Sequence, residues 1–195
     1  LPVCTAVAVA QFNLLDAATS SAIVLSGGIS DTAANLAPSG TASSGLTAAT
    51  NQDGDVAITI TGTAPTVAEL NKVASLTTGV VTASISGNKT TLAGLNTASG
   101  DAITATVTDA VTVAEFNTLD GKTSVGVILQ GGVSDAAAAY ASTTGTATSG
   151  RTAIAAQDGD AALTVTDAVT VAQANSVATA TTGTVVYSGG ITDST

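Results

Sequence analysis

The chain has 195 residues, 45% apolar but only 2% aromatic, with 14 acidic against 4 basic side chains and a formal charge of −10. That balance repels a phosphate backbone, which argues against a nucleic-acid partner. No run of apolar residues approaches the length of a membrane span, so no membrane insertion is expected, and Cys4, the only cysteine, rules out an internal disulfide.

In chain order, the first recurring feature is AVAQFNLLD from Ala8, and versions of it follow as TVAELNKVA from Thr66, TVAEFNTLD from Thr112 and TVAQANSVA from Thr170. The copies stand 58, 46 and 58 residues apart, so long and short units alternate within a 104-residue super-repeat. The expected organisation is residues 1–7 as the end of a preceding repeat, 8–65 a long repeat, 66–111 a short one, 112–169 long and 170–195 a partial short one. Residues 2–7 fall over 106–111 at the 104-residue offset, and the chain stops at GGITDST within a fourth unit. A window cut from a longer array, or a subunit completed by its neighbours, is the expectation.

Each copy reads as a short helix. Thr66, Thr112 and Thr170 are followed three residues later by Glu69, Glu115 and Gln173, the spacing of a capping box. Ala8 lacks the hydroxyl, so the first helix should start less firmly, by about 1 kcal/mol. In the third copy Val113, Phe116 and Leu119 share a face, and Gly121 stops the helix.

After each helix comes a β-branched run: AIVLSGG, GVVTASISG, VGVILQGG and GTVVYSGG. These predict strands, and the near-continuous apolar character of VGVIL predicts cover on both faces. A short Ala-rich helix capped by Asp31, Asn88 or Asp135 should follow, then a second strand in VAITITG, AITATVTD or ALTVTDAV. The SGTASSGLTAAT segment, present only in the long units, reads as a loop or hairpin at one edge. The fold class expected is an α/β tandem-repeat array of helix-strand-helix-strand units with a parallel or mixed sheet; all-β sandwich repeats with short helices are the alternative.

Chemistry is sparse. Without histidine the usual general base at neutral pH is missing, and Ser or Thr nucleophiles lose their commonest activator, so no catalytic residues are assigned. Lys72, Lys89 and Lys122 read as solvated surface groups. Asp53 with Asp55 and Asp158 with Asp160 form two Asp-Gly-Asp turns whose acids are too close for a glycosidase pair and have no aromatic platform beside them. Calcium is the candidate cofactor for these four, and GGISD, GGVSD and GGITD add a carboxylate after paired glycines; the competing reading is that Gly turns the chain and Asp caps a helix. Asn13, Asn71, Asn117 and Asn175 recur at one helix position, which fits a buried amide bonding the backbone of an adjacent turn.

Units of the form TVAEFNTLDGKTS followed by a Val/Thr strand, and DAAAAYAS followed by DGDAALTVTDA, resemble the tandem repeats of very large cell-surface proteins from cyanobacteria and other marine bacteria. The resemblance implies an exported, extracellular adhesin, surface-layer or fibre protein, and no functional residue carries over from it. The function expected is a non-enzymatic structural component of such an assembly, with a calcium-dependent binding module as the alternative. Partners would be other copies of the chain, adjacent repeats, or surface glycans.

Overall fold

The computed structural model describes residues 1–192. In chain order its regular elements are α1 (Val9–Ala18), β1 (Ile29–Thr32), α2 (Ala33–Leu36), α3 (Ser44–Gln52), β2 (Ile58–Thr61), α4 (Val67–Ala74), β3 (Val81–Gly87), α5 (Lys89–Leu92), β4 (Ala102–Val107) and α6 (Val113–Asp120). There follow β5 (Val127–Ile128), β6 (Val133–Asp135), α7 (Ala137–Tyr140), α8 (Ser149–Gln157), β7 (Leu163–Val165), β8 (Val169–Thr170), α9 (Val171–Ala178), β9 (Val185–Tyr187) and β10 (Ile191–Thr192). A 3-10 turn spans Pro38–Gly40. The fold is α/β, and the all-β alternative fails because helices connect the paired strands of each sheet.

Strands β1 to β5 form a sheet in sequence order, β6, β7 and β9 a second, and β8 with β10 a third, every described pairing being parallel. Sequential order with parallel pairing means each strand is reached by a short crossover that carries a helix. Ile29 pairs with Ile58 and Ile58 with Val81. Isolated bridges join Val7 to Ile29 and, at the 104-residue offset, Val111 to Val133.

The chain divides into two units: Leu1–Ile85 with Gly94–Thr104 and Lys122–Ser124, and Ser86–Ala93 with Ala105–Gly121 and Val125–Thr195. In the first, Phe12, Ile23, Ile29, Leu36, Leu46 and Ile58 are fully buried. In the second, Phe116, Tyr140 and Ile154 are, and the Tyr140 hydroxyl donates to the Val133 and Thr164 carbonyls at 3.0 and 3.2 Å. Burial and the nearby Asp135 charge push its phenol pKa up.

Several expectations need correction, the first being the strand in AIVLSGG, which holds only an isolated bridge at Val24 while β1 begins after it at Ile29. The SGTASSGLTAAT segment is not a loop: it forms α3, and its counterpart forms α8, with Ser43 and Thr148 capping the first turns. Its Ser/Gly/Thr content serves close packing, since a Cβ at Gly45 would sit 2.4 Å from Val9 Cγ1 of α1, and one at Gly150 2.3 Å from Val113 Cγ1 of α6. Asp31 and Asp135 do not cap helices of their own; they lie on strands β1 and β6, and Thr32 and Ala136 are the N-cap residues of α2 and α7. Asn88 does cap α5, accepting from the Thr91 N–H at 2.8 Å.

The strands are covered on one face only. Burial strictly alternates along β2, β3 and β4, and Ile128 of VGVIL is 44% exposed. The outward positions of these strands are exposed or half-exposed, so the apolar run does not report two-sided cover. Finally, Gly121 follows α6 in right-handed conformation at φ −66°, so its freedom to adopt positive φ is not what ends that helix.

The face named for α6 is buried as expected: Val113 is 7%, Phe116 0% and Leu119 4% exposed. Phe116→Ala should therefore lower the unfolding free energy by about 3 to 5 kcal/mol in urea titration. A loss under about 1 kcal/mol would mean that the cavity collapses or the face is not packed.

Candidate functional site

The two Asp-Gly-Asp turns close helices α3 and α8, with Asp53 and Asp158 as the C-cap residues. Each cap carboxylate reaches back along the chain to an earlier backbone group. Asp53 Oδ2 accepts from the Leu25 N–H at 2.6 Å and Asp158 Oδ2 from that of Leu129 at 2.5 Å. The preceding glutamines act beside them: Gln52 Oε1 accepts from the Ile23 N–H at 2.8 Å while its amide donates to Asp16, and the Gln157 amide donates to Asp120 Oδ1 at 2.7 Å.

Both turns line open clefts. Asp53 and Asp55 border about 260 Å³ with Val24, Leu25 and Ser26, and Asp158 and Asp160 border about 460 Å³ with Ile128, Leu129 and Gln130. The structure thus keeps Asp53 with Asp55 and Asp158 with Asp160, each pair within its own unit. Calcium takes six to eight oxygens. Among the described residues no group of three or more His, Cys, Asp or Glu side chains is placed to hold a metal ion. The GGITD aspartate, Asp193, lies outside the described residues.

Other carboxylates perform the same kind of task. Asp31 is 8% exposed, and its Oδ2 accepts from the Val9 N–H at 3.0 Å, the first N–H of α1, 22 residues earlier. Its Oδ1 accepts from the Thr32 N–H and the Asn35 amide. Asp135 Oδ2 accepts from the Val113 N–H of α6 at 3.0 Å, again 22 residues back. Asp109 takes the first N–H of α5 (Lys89, 2.6 Å), and Asp167 that of α7 (Ala137, 2.6 Å). Asp101 joins β3 to the turn before β4 by accepting from Val81 and Ala98, both at 2.9 Å.

The opening N–H groups of a helix have no partner within it and carry the positive end of its dipole, so a carboxylate there is doubly favoured. Local spacing does not reveal these bonds, because donor and acceptor lie 20 to 30 residues apart. The available signal was the recurrence of GG(I/V)SD at 22 residues after each of two helix starts.

The paired glycines of that motif have separate duties. A Cβ on Gly131 would lie 2.1 Å from the Asp109 carbonyl carbon, so only glycine lets the two backbones approach. Gly132 has φ +75°, left-handed backbone that a β-carbon disfavours.

The capping boxes form where expected. Thr66, Thr112 and Thr170 Oγ1 accept from the N–H of Glu69, Glu115 and Gln173 at 3.3, 3.2 and 3.1 Å. The return bonds from the Thr66, Thr112 and Thr170 N–H groups are 2.8, 2.8 and 3.0 Å. At Ala8 only the return bond exists, to Gln11 Oε1 at 2.9 Å. Hydrogen bonds from Thr66 hold the Glu69 carboxyl below its ordinary range. Those from Thr112, aided by Lys89, do so for Glu115.

These groups therefore stabilise the fold above the ordinary carboxyl range and lose that contribution as pH falls through their lowered values. Lys89 is not simply solvated: it pairs with Glu115 at 3.2 Å. The recurrent asparagines are not a buried ladder. Asn13, Asn117 and Asn175 are exposed. Only Asn71 bonds an adjacent turn, through Gly94 O at 2.8 Å and the Asn96 N–H at 2.7 Å. Asn13 and Asn117 instead lie against Gly45 and Gly150.

No protein-family model, no curated protein and no solved structure matches this chain. No described helix is long and apolar enough to cross a membrane.

Burial raises the Asp158 carboxyl pKa; the Leu129 N–H opposes that shift and Asp160 adds to it. A raised carboxyl stabilises the fold in its protonated form, below the unfolded value, and that benefit is lost as pH rises through the folded value. Asp158→Asn keeps an oxygen for Leu129 and removes the charge. It should need at least as much urea to unfold as the parent at pH 7, with any advantage shrinking at pH 3; a lower midpoint at pH 7 would contradict the assignment.

Proposed function

We propose that the chain is a non-enzymatic structural repeat protein of an extracellular bacterial assembly: a filament, surface layer or adhesin stalk. The observation that carries this is the recurrence, 104 residues apart, of one fastening device. Asp31 on Val9 and Asp135 on Val113 each tie a strand to the helix start 22 residues before it. In this reading the repeats at 8–65, 66–111, 112–169 and 170–195 stack as a solenoid, each shielding the apolar face of its predecessor. Partners are further copies of the chain or adjacent repeats, and neither nucleic acid nor a bilayer interior is among them.

The engaged carboxylates support the non-enzymatic reading, since groups spent on backbone N–H bonds are poorly placed for proton transfer to a substrate. A second reading, a calcium-dependent surface-binding module that contacts glycans, draws on the open cleft shared by Asp158 and Asp160. In it Asp53 and Asp55 would hold a second ion in the other unit.

Negative-stain microscopy of the concentrated chain, with calcium and with a chelator, tests both. Fibres or sheets in either buffer are expected. Single particles at every concentration would contradict assembly, and ordered material only with calcium would favour the second reading.

A further inference from the structure

In the first unit, the outward positions of β1, β2, β3 and the start of β4 alternate with buried Ile, Val and Ala and, on β1, the inward Asp31. The parallel register places Ser30, Thr59 and Thr82 side by side in one row, and Thr32 beside Thr61 in the next. Neighbouring parallel strands lie roughly 4.8 Å apart, and alternate residues of one strand about 6.6 Å apart. Hydroxyls and methyls therefore stand on a two-dimensional grid fixed by the backbone.

Two properties of this face bear on what it can contact. Of the chain's 18 charged side chains, 14 acidic and 4 basic, none occupies an outward position on these strand segments. Its hydroxyls are also unspent: among the described residues those of Ser30, Thr59, Thr61, Thr82, Ser84 and Thr104 have no intramolecular hydrogen bond. Some threonine hydroxyls off this face are committed to helix caps or backbone carbonyls, as at Thr66, Thr112, Thr123 and Thr148.

We propose that this sheet face is a docking surface for crystalline ice. Its neutrality matches an uncharged lattice, whereas the acids elsewhere would hold disordered hydration shells against it. The two grid repeats lie near the oxygen spacings on the prism faces of hexagonal ice, so several hydroxyls can take lattice positions at once while the methyls fill the gaps between them. The grid is rigid before contact, which limits the ordering cost of binding. A crystalline polysaccharide is the weaker fit, because sugar rings are gripped by aromatic platforms and none of the chain's four aromatic residues lies on these strands. The proposal goes beyond the structural role and stands whether or not the chain assembles.

The test is slow growth of ice from a solution of the whole chain, measuring the fraction of protein taken into the solid against serum albumin. Incorporation several-fold above albumin is expected. Thr59→Tyr keeps strand propensity but breaks the grid, and Thr82→Lys places a charge in it; circular dichroism checks each fold. A folded variant of either kind should fall to the albumin level. Rejection of the parent chain from ice would overturn the proposal, as would equal uptake of a folded variant, or adsorption to chitin or cellulose powder together with rejection from ice.

Discussion

A carboxylate on one strand accepting the first N–H of a helix that began 22 residues earlier is the contact on which the architecture depends, seen at Asp31 with Val9 and at Asp135 with Val113. A helix start exposes unpaired donors at the positive end of its dipole. A carboxylate placed there makes a charge-assisted bond, stronger than a neutral one, and Asp31 makes it almost out of contact with water. The bond also measures length. It can form only if the chain has gone out along a helix, turned back and started a parallel strand in the correct register, so it selects one crossover length over its neighbours.

Small residues make that geometry reachable. The glycine pair before each of these aspartates lets one backbone press against another, as at Gly131 on Asp109, and then turn through left-handed conformation at Gly132. Glycines also let helices approach: Gly45 and Gly150 seat α3 on α1 and α8 on α6. With so few aromatic side chains, close backbone approach and repeated Val, Ile and Leu contacts replace the area that large groups would supply. An acidic chain of this kind spends much of its negative charge inside its own backbone network, which leaves one sheet face uncharged and hydroxyl-rich.

Local signals in the sequence carried what local chemistry decides. The three Thr-x-x-Glu/Gln boxes, the buried Val113–Phe116–Leu119 face and the strands of VAITITG and AITATVTD could be read from spacing alone. What depended on a partner 20 to 30 residues away could not. Asp31 and Asp135 look like helix caps when only adjacent residues are weighed, yet their donors lie far upstream. Helix α3 looks like a loop because its glycine and serine serve a tertiary contact, and tertiary packing outweighs propensity. VGVIL looks two-sided because sequence shows that Ile128 is apolar but not that its side of the strand is open. The Asp-Gly-Asp turns drew attention as metal ligands for the same reason: nothing nearby reveals that Asp53 and Asp158 already hold Leu25 and Leu129.

Amide hydrogen exchange at Val113, compared between the parent chain and Asp135→Ala, tests the central claim most directly. If the carboxylate fastens the helix start, the parent's Val113 amide is protected, and the substitution speeds its exchange by at least about tenfold, a bond's worth of roughly 1.4 kcal/mol or more. Equal exchange at Val113 in the two proteins, with both folded, would contradict the account.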